Sequence, residues 1–232
     1  MKKYFILIFS LLSLFGSSQT RAQEFFDTSD PDKFFRIGAR AGFNTSVRTF
    51  PGGHYNLWNN NSWGTGLNVG AVANLNFKEY LTLQPGFFFE SRSGNFAYLT
   101  EYITGYGTNA EHYELGHHRG YYFTIPVMGI LKFNLSPKIK WSVEFGPYLQ
   151  INLKDTGQNN VAVLYRLPQS NNYSQYIAEL RGFDIGFKMG SGLLLYSHYY
   201  VGFHYLAGAC NAWKRPSGGH NKSWMFSIGY DF

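Results

Sequence analysis

The stretch Trp141-Ser142-Val143-Glu144-Phe145-Gly146-Pro147-Tyr148-Leu149-Gln150-Ile151-Asn152-Leu153-Lys154 sorts its residues by parity: the odd positions are apolar and the even ones are polar, small or amphipathic. A helix would mix the two sets on every face, so strict alternation over 14 residues selects a strand with one greasy and one wet side. Ordinary globular strands run about five or six residues, whereas a tilted strand crosses a bilayer in about 9–11. This one is long enough to cross.

Working outward, the same split recurs at 35–43, 67–77, 81–90, 121–133, 183–190, 199–208 and 223–232, which makes eight strands. Val72, Met128 and Ile130 are apolar residues on otherwise polar faces. The links alternate in length. Roughly 45–64, 92–120, 155–182 and 209–222 are long; Lys78-Glu79, Leu135 to Lys140 and Tyr196 to His198 are tight. An up-and-down meander with this rhythm predicts an all-β, eight-stranded antiparallel transmembrane β-barrel with short periplasmic turns and long extracellular loops. Closure satisfies every backbone donor and acceptor, which an open sheet in lipid cannot do. An even strand count puts both termini on the periplasmic side. Pro85, Pro126 and Pro147 each delete a ladder bond, and bulges are expected there.

Composition agrees, with aromatics at 19%, charged residues at 15% and 26 glycines among 232 residues. Lys2 and Lys3, the apolar run Tyr4 to Phe15, the small and polar residues Gly16 to Thr20 and then Ala22 follow the order of a signal peptide over 1–22. Residues 23–34 are then a short periplasmic segment and 35–232 the barrel. Without Lys2, Lys3 and Arg21 the net charge falls from +6 to +3, which implies no nucleic-acid partner. A single cysteine, Cys210, excludes an internal disulfide.

The polar face of a narrow barrel points into a lumen that side chains just fill. Arg36, Arg40, Glu90, Lys132, Glu144, Lys154, Asp184 and Lys188, with Asp231, are expected there as a network of paired charges. Trp63, Tyr80, Phe133, Trp141, Tyr199, Trp224 and Phe232 fall where strands leave the membrane and are read as an aromatic girdle.

The alternating ending Met225 to Phe232, with Thr124-Ile125-Pro126-Val127-Met128, Phe145-Gly146-Pro147-Tyr148 and Phe183-Asp184-Ile185-Gly186, resembles the PorT-like outer-membrane β-barrel family of Bacteroidetes. The resemblance implies an outer-membrane location in a Gram-negative, Bacteroidetes-like cell and recognition of Phe232 by the barrel-assembly machinery. The family's namesake assists a secretion system, but no stretch here singles out that role.

The run Glu111-His112-Tyr113-Glu114-Leu115-Gly116-His117-His118 is rich in metal-ligand types but lacks the helical His-Glu-x-x-His spacing, so it reads as a solvated loop. His198 or His204 beside Ser191 or Ser197 has no triad signature. No cofactor is expected. Trp58, Trp63, His112, His117 and His118 are weak candidates for loop recognition. The expected role is that of a non-enzymatic structural or binding component whose partners are outer-membrane lipid and proteins of an envelope or secretion complex. A small-solute or hydrophobic-compound channel is the alternative, and a lipid-modifying enzyme the third.

Overall fold

Alternation along the chain becomes a closed wall in the computed structural model, which describes residues 25–48, 62–105, 108–155, 162–166, 173–177, 179–215 and 218–232. In chain order the strands are β1 (Phe35–Arg48), β2 (Ser62–Lys78), β3 (Leu81–Gly105), β4 (Thr108–Ser136), β5 (Ile139–Asp155), β6 (Ala162–Arg166), β7 (Tyr173–Ile177), β8 (Glu179–Leu180), β9 (Phe183–Leu195), β10 (Tyr199–Gly208), β11 (Trp213–Arg215) and β12 (Asn221–Asp231). Eight of them close in the order β1-β12-β10-β9-β5-β4-β3-β2. All neighbours are antiparallel, and the seam is β1 on β12, from Gly38↔Asp231 to Arg48↔Asn221. The strands β6–β7 and β8–β11 form two small sheets in the long connections of one end. The opposite end carries tight turns at Glu79–Tyr80, Pro137–Lys138 and Tyr196–His198.

The wall is inverted relative to a water-soluble protein. Leu67 is 69% exposed and Phe145 53%, whereas Glu90 is 1% and Glu144 2% exposed. Val72, Met128 and Ile130 are buried inside with the polar set. Ring pairs such as Phe145–Phe187 at 5.6 Å and Phe43–Phe226 at 5.3 Å link neighbouring strands along the outer surface.

Two expectations are corrected. The prolines do not cause bulges: β3–β4 steps from Pro85↔Val127 to Phe88↔Thr124 and β4–β5 from Pro126↔Tyr148 to Gly129↔Phe145 in unchanged register. Pro147↔Phe187 sits in an unbroken run. Losing a rung is cheaper than slipping by one residue, which would send every side chain to the wrong face. Residues 92–120 are not a loop either. Their backbones pair as a continuation of β3 and β4 out to Gly105↔Thr108. Because β2 leaves β3 at Asn95 and β5 leaves β4 at Gly120, a two-stranded ribbon rises beyond the wall. At about 3.3 Å per residue, ten residues reach about 30 Å.

Residues 25–34 strap the turn end. The Asn134 amide donates to Phe25 O at 3.0 Å, that of Glu79 to Ser29 O at 3.1 Å and that of Asn76 to Phe34 O at 2.7 Å. Phe26 lies 4.6 Å from the Tyr80 ring and 5.3 Å from Phe133. On this strap the Ser29 hydroxyl and amide both donate to Asp27 Oδ1, at 2.6 and 3.1 Å, and hold that carboxyl below its ordinary value.

Glycine lets adjacent strands approach closely. A Cβ on Gly146 would stand 1.9 Å from Val127 O and 2.9 Å from Met128 Cα, backbone atoms that cannot swing aside. Gly146→Ala is expected to lower the urea midpoint of the refolded barrel by the equivalent of about 1–3 kcal/mol. Gly182→Ala, with nothing within 4 Å, should leave it unchanged.

Candidate functional site: the lumen and its two ends

Inward parity sends polar groups from every wall strand toward the axis, where they must satisfy one another. Near the turn end, Asp231 on β12 meets the Arg40 guanidinium of β1 at 2.7 Å. Arg40 also lies 4.2 Å over the ring of Tyr200 on β10, whose hydroxyl donates to Glu144 on β5 at 2.9 Å. Glu144 accepts from Ser142 Oγ at 2.7 Å, and His204 Nε2 lies 2.8 Å from its second oxygen. One carboxylate thus gathers three partners from two strands.

Higher up, Arg92 Nε and Nη2 reach Glu90 Oε2 at 3.0 and 2.7 Å, and Arg92 Nη1 reaches Gln150 Oε1 at 3.3 Å. Lys188 lies 4.8 Å from the Phe88 ring. Arg48 caps the loop end: it donates to Asp155 Oδ2 at 2.9 Å and to the Tyr122 hydroxyl, which itself donates to Asp155 at 3.0 Å. Asp184 accepts from Tyr148 at 3.3 Å and Asn221 at 3.0 Å. Tyr148, Leu206 and Met225 form an apolar cluster among these charges. A cavity of about 60 Å³ lies at the turn-side mouth, and two of about 10 Å³ lie nearer the loop end.

The predicted lumen residues Arg40, Glu90, Glu144, Asp184 and Lys188 are buried inside, while Arg36 and Lys132 are half-buried at the turn-side mouth. Lys154 is a correction. The pairing shifts between Tyr121↔Lys154 and Tyr122↔Asn152, so Leu153 is an extra residue; Lys154 is exposed and Asp155 is buried instead. The bulge replaces a lumenal ammonium with the carboxylate that Arg48 requires, and an uncompensated buried guanidinium would be costly.

Arg48 and Arg92 were missed because they fall in stretches read as loops. The signal was present in the inward parity of Asn44, Ser46 and Arg48 and of Glu90, Arg92 and Gly94. Ser191 faces outward, accepting a hydrogen bond from Trp141 Nε1 at 2.6 Å, so the wall separates it from inward His204. His198 lies in a turn with Nδ1 2.7 Å from Asp231 O.

Of the girdle candidates, Trp63, Tyr199, Trp224 and Phe232 are exposed, while Tyr80, Phe133 and Trp141 are half-buried. At the turn end Phe133 lies 5.2 Å from Trp141 with the rings tilted, and at the loop end Tyr205 lies 4.5 Å from Trp224. Trp58 lies outside the described residues. His112, His117 and His118 lie on the β4 ribbon backbone, opposite Glu101, Asn95 and Gly94, and their side chains are outside the described set.

A family model described as outer membrane protein beta-barrel domain matches residues 18–208. Among solved structures, Ail of Yersinia pestis is 10% identical with a TM-score of 0.38, covering 86% of this chain and 100% of that one. The N-terminal barrel domain of Pseudomonas aeruginosa OprF is 10% identical at a TM-score of 0.31, covering 83% and 97%. The translocator domain of autotransporter NalP from Neisseria meningitidis is 11% identical at 0.28, covering 87% and 90%. No curated protein matches the chain. With a closed eight-stranded wall, an apolar exterior and a family match over most of its length, the chain belongs to the outer membrane protein beta-barrel domain family and is an outer-membrane β-barrel.

Proposed function

We propose that this chain is a non-enzymatic barrel whose rigid wall presents the β3–β4 ribbon and the long connections as a binding surface within an envelope complex. The supporting observation is the filled lumen: ion pairs and apolar side chains occupy the axis, and the cavity at its turn-side mouth holds only about 60 Å³. Such an interior stiffens a scaffold and leaves no continuous path for solute. The ribbon adds support, because its outer edges carry backbone donors and acceptors on which a partner strand can form a ladder. In this reading residues 1–22 are a cleaved signal peptide, the turn end and both termini face the periplasm, and assembly proceeds through Phe232. The PorT-like character and a secretion-complex setting belong to the same proposal.

Two measurements test it. Planar bilayers containing the purified protein are expected to show no stable conductance steps; steps that change on Glu144→Lys would favour the channel instead. Replacing residues 97–114 by an Asn-Gly turn is expected to leave a heat-modifiable barrel while abolishing co-purification of its partners from native envelopes. An unchanged co-purifying set would refute the binding role of the ribbon.

A further inference from the structure

The turn-side mouth contains a cavity of about 60 Å³ whose charges do not cancel. Three acids and five cations border it. Lys140 contacts Glu79, Lys78 meets Asp30 at 2.6 Å, and Asp231 is held by Arg40 at 2.7 Å. Asp32 and Lys33 are exposed neighbours on the strap. That leaves Arg36 and Lys132, whose hydrogen bonds go only to neutral groups, although Glu79 and Asp231 attract Lys132 across the cavity. Arg36 Nη1 donates to Ser197 O at 3.1 Å and Lys132 Nζ to Asn76 Oδ1 at 3.0 Å. Arg36 Nε is buried with no acceptor among the described residues. The two cations border one space, in which Lys140 and, more weakly, Arg36 repel Lys132.

A guanidinium fork and an ammonium on one small cavity suit an anion that offers oxygens to both. A planar carboxylate has two oxygens, which the fork alone consumes, whereas a tetrahedral oxyanion keeps a third for the lysine. Arg36 and Lys132 lie at the lumenal mouth, away from the outer face that lipid headgroups would touch, so the ligand arrives from solution. We propose that the turn-side mouth binds a soluble tetrahedral oxyanion of the phosphate class, inorganic phosphate or a phosphomonoester, between Arg36 and Lys132. The anion offsets the excess of cations on the cavity and supplies the acceptor that Arg36 Nε lacks.

Isothermal titration of detergent-purified full chain with inorganic phosphate tests this site. One saturable site is expected, weakened at least tenfold by Arg36→Gln and likewise by Lys132→Gln, with Lys222→Gln at the loop end leaving it unchanged. Glycerol 3-phosphate should compete and acetate should not. Each variant is first checked for heat-modifiable migration, and Lys132→Met replaces any variant that does not fold. Absence of saturable binding to the unsubstituted chain, or an affinity in either mouth variant equal to that of the unsubstituted chain, would overturn the proposal. Displacement of phosphate by phosphatidylglycerol in the micelle, but not by phosphatidylcholine, would assign the site to lipid headgroups and overturn the soluble-ligand reading.

Discussion

Glu90→Leu is expected to destabilise the refolded barrel by about 3 kcal/mol, the lower end of the range for removing one partner of a buried ion pair. In the intact lumen Glu90 Oε2 takes two bonds from Arg92, while Oε1 has no hydrogen-bond partner among the described residues, so the pair is not fully optimised. The substitution leaves Arg92 and Lys188, both buried cations, without this carboxylate. Among the described residues, Arg92 keeps Gln150 Oε1 at 3.3 Å and the Tyr122 ring at 5.4 Å. Urea unfolding in lipid vesicles, followed by tryptophan fluorescence, measures the change. The double variant Glu90→Leu with Arg92→Leu should recover most of the loss, because it removes charge and counter-charge together. A single variant within about 1 kcal/mol of the parent would mean that water reaches the pair and weakens it.

Phe145→Arg is expected to cost about 2–4 kcal/mol in the same assay, the penalty for a cation on the lipid face near the membrane centre. Phe145 points outward from the middle of β5, stacked on Phe187. Lys154→Leu should change stability by no more than about 1 kcal/mol, because Lys154 is already outside and lies at the strand's loop end. Simple parity predicts a larger effect, since an inward Lys154 would be part of the charge network. A large loss on Lys154→Leu would therefore restore the unbulged register and remove Asp155 from the lumen.

Much of the architecture is legible along the chain because a strand reports its two faces at every second residue. The stretch Trp141 to Asn152 keeps its assignment of faces, with Glu144 and Gln150 inside and Phe145 and Leu149 outside. The apolar exceptions Val72, Met128 and Ile130 take the lumenal side that parity demanded. Legibility ends where the period does. Leu153 inserts one extra residue, and no composition rule marks it. The stretch 92–120 contains glycine and histidine and breaks clean alternation, yet its two halves pair for the length of a ribbon. Phe25 and Phe26 have no strand context, so their contact with Phe133 and Tyr80 depends on a chain reversal that local pattern cannot express.

The amino-acid order by itself determined the number of wall strands, the outward greasy face, the inward polar face and the antiparallel meander, since these follow from side-chain parity and link length. Only the closed barrel decided which charge meets which. Arg40 reaches Asp231, Arg48 reaches Asp155 and Glu144 reaches His204 across distances in sequence that no local rule spans. Burial makes an unpartnered charge costly in that narrow interior, so partner choice is settled by the strands' relative stagger and by a single bulge.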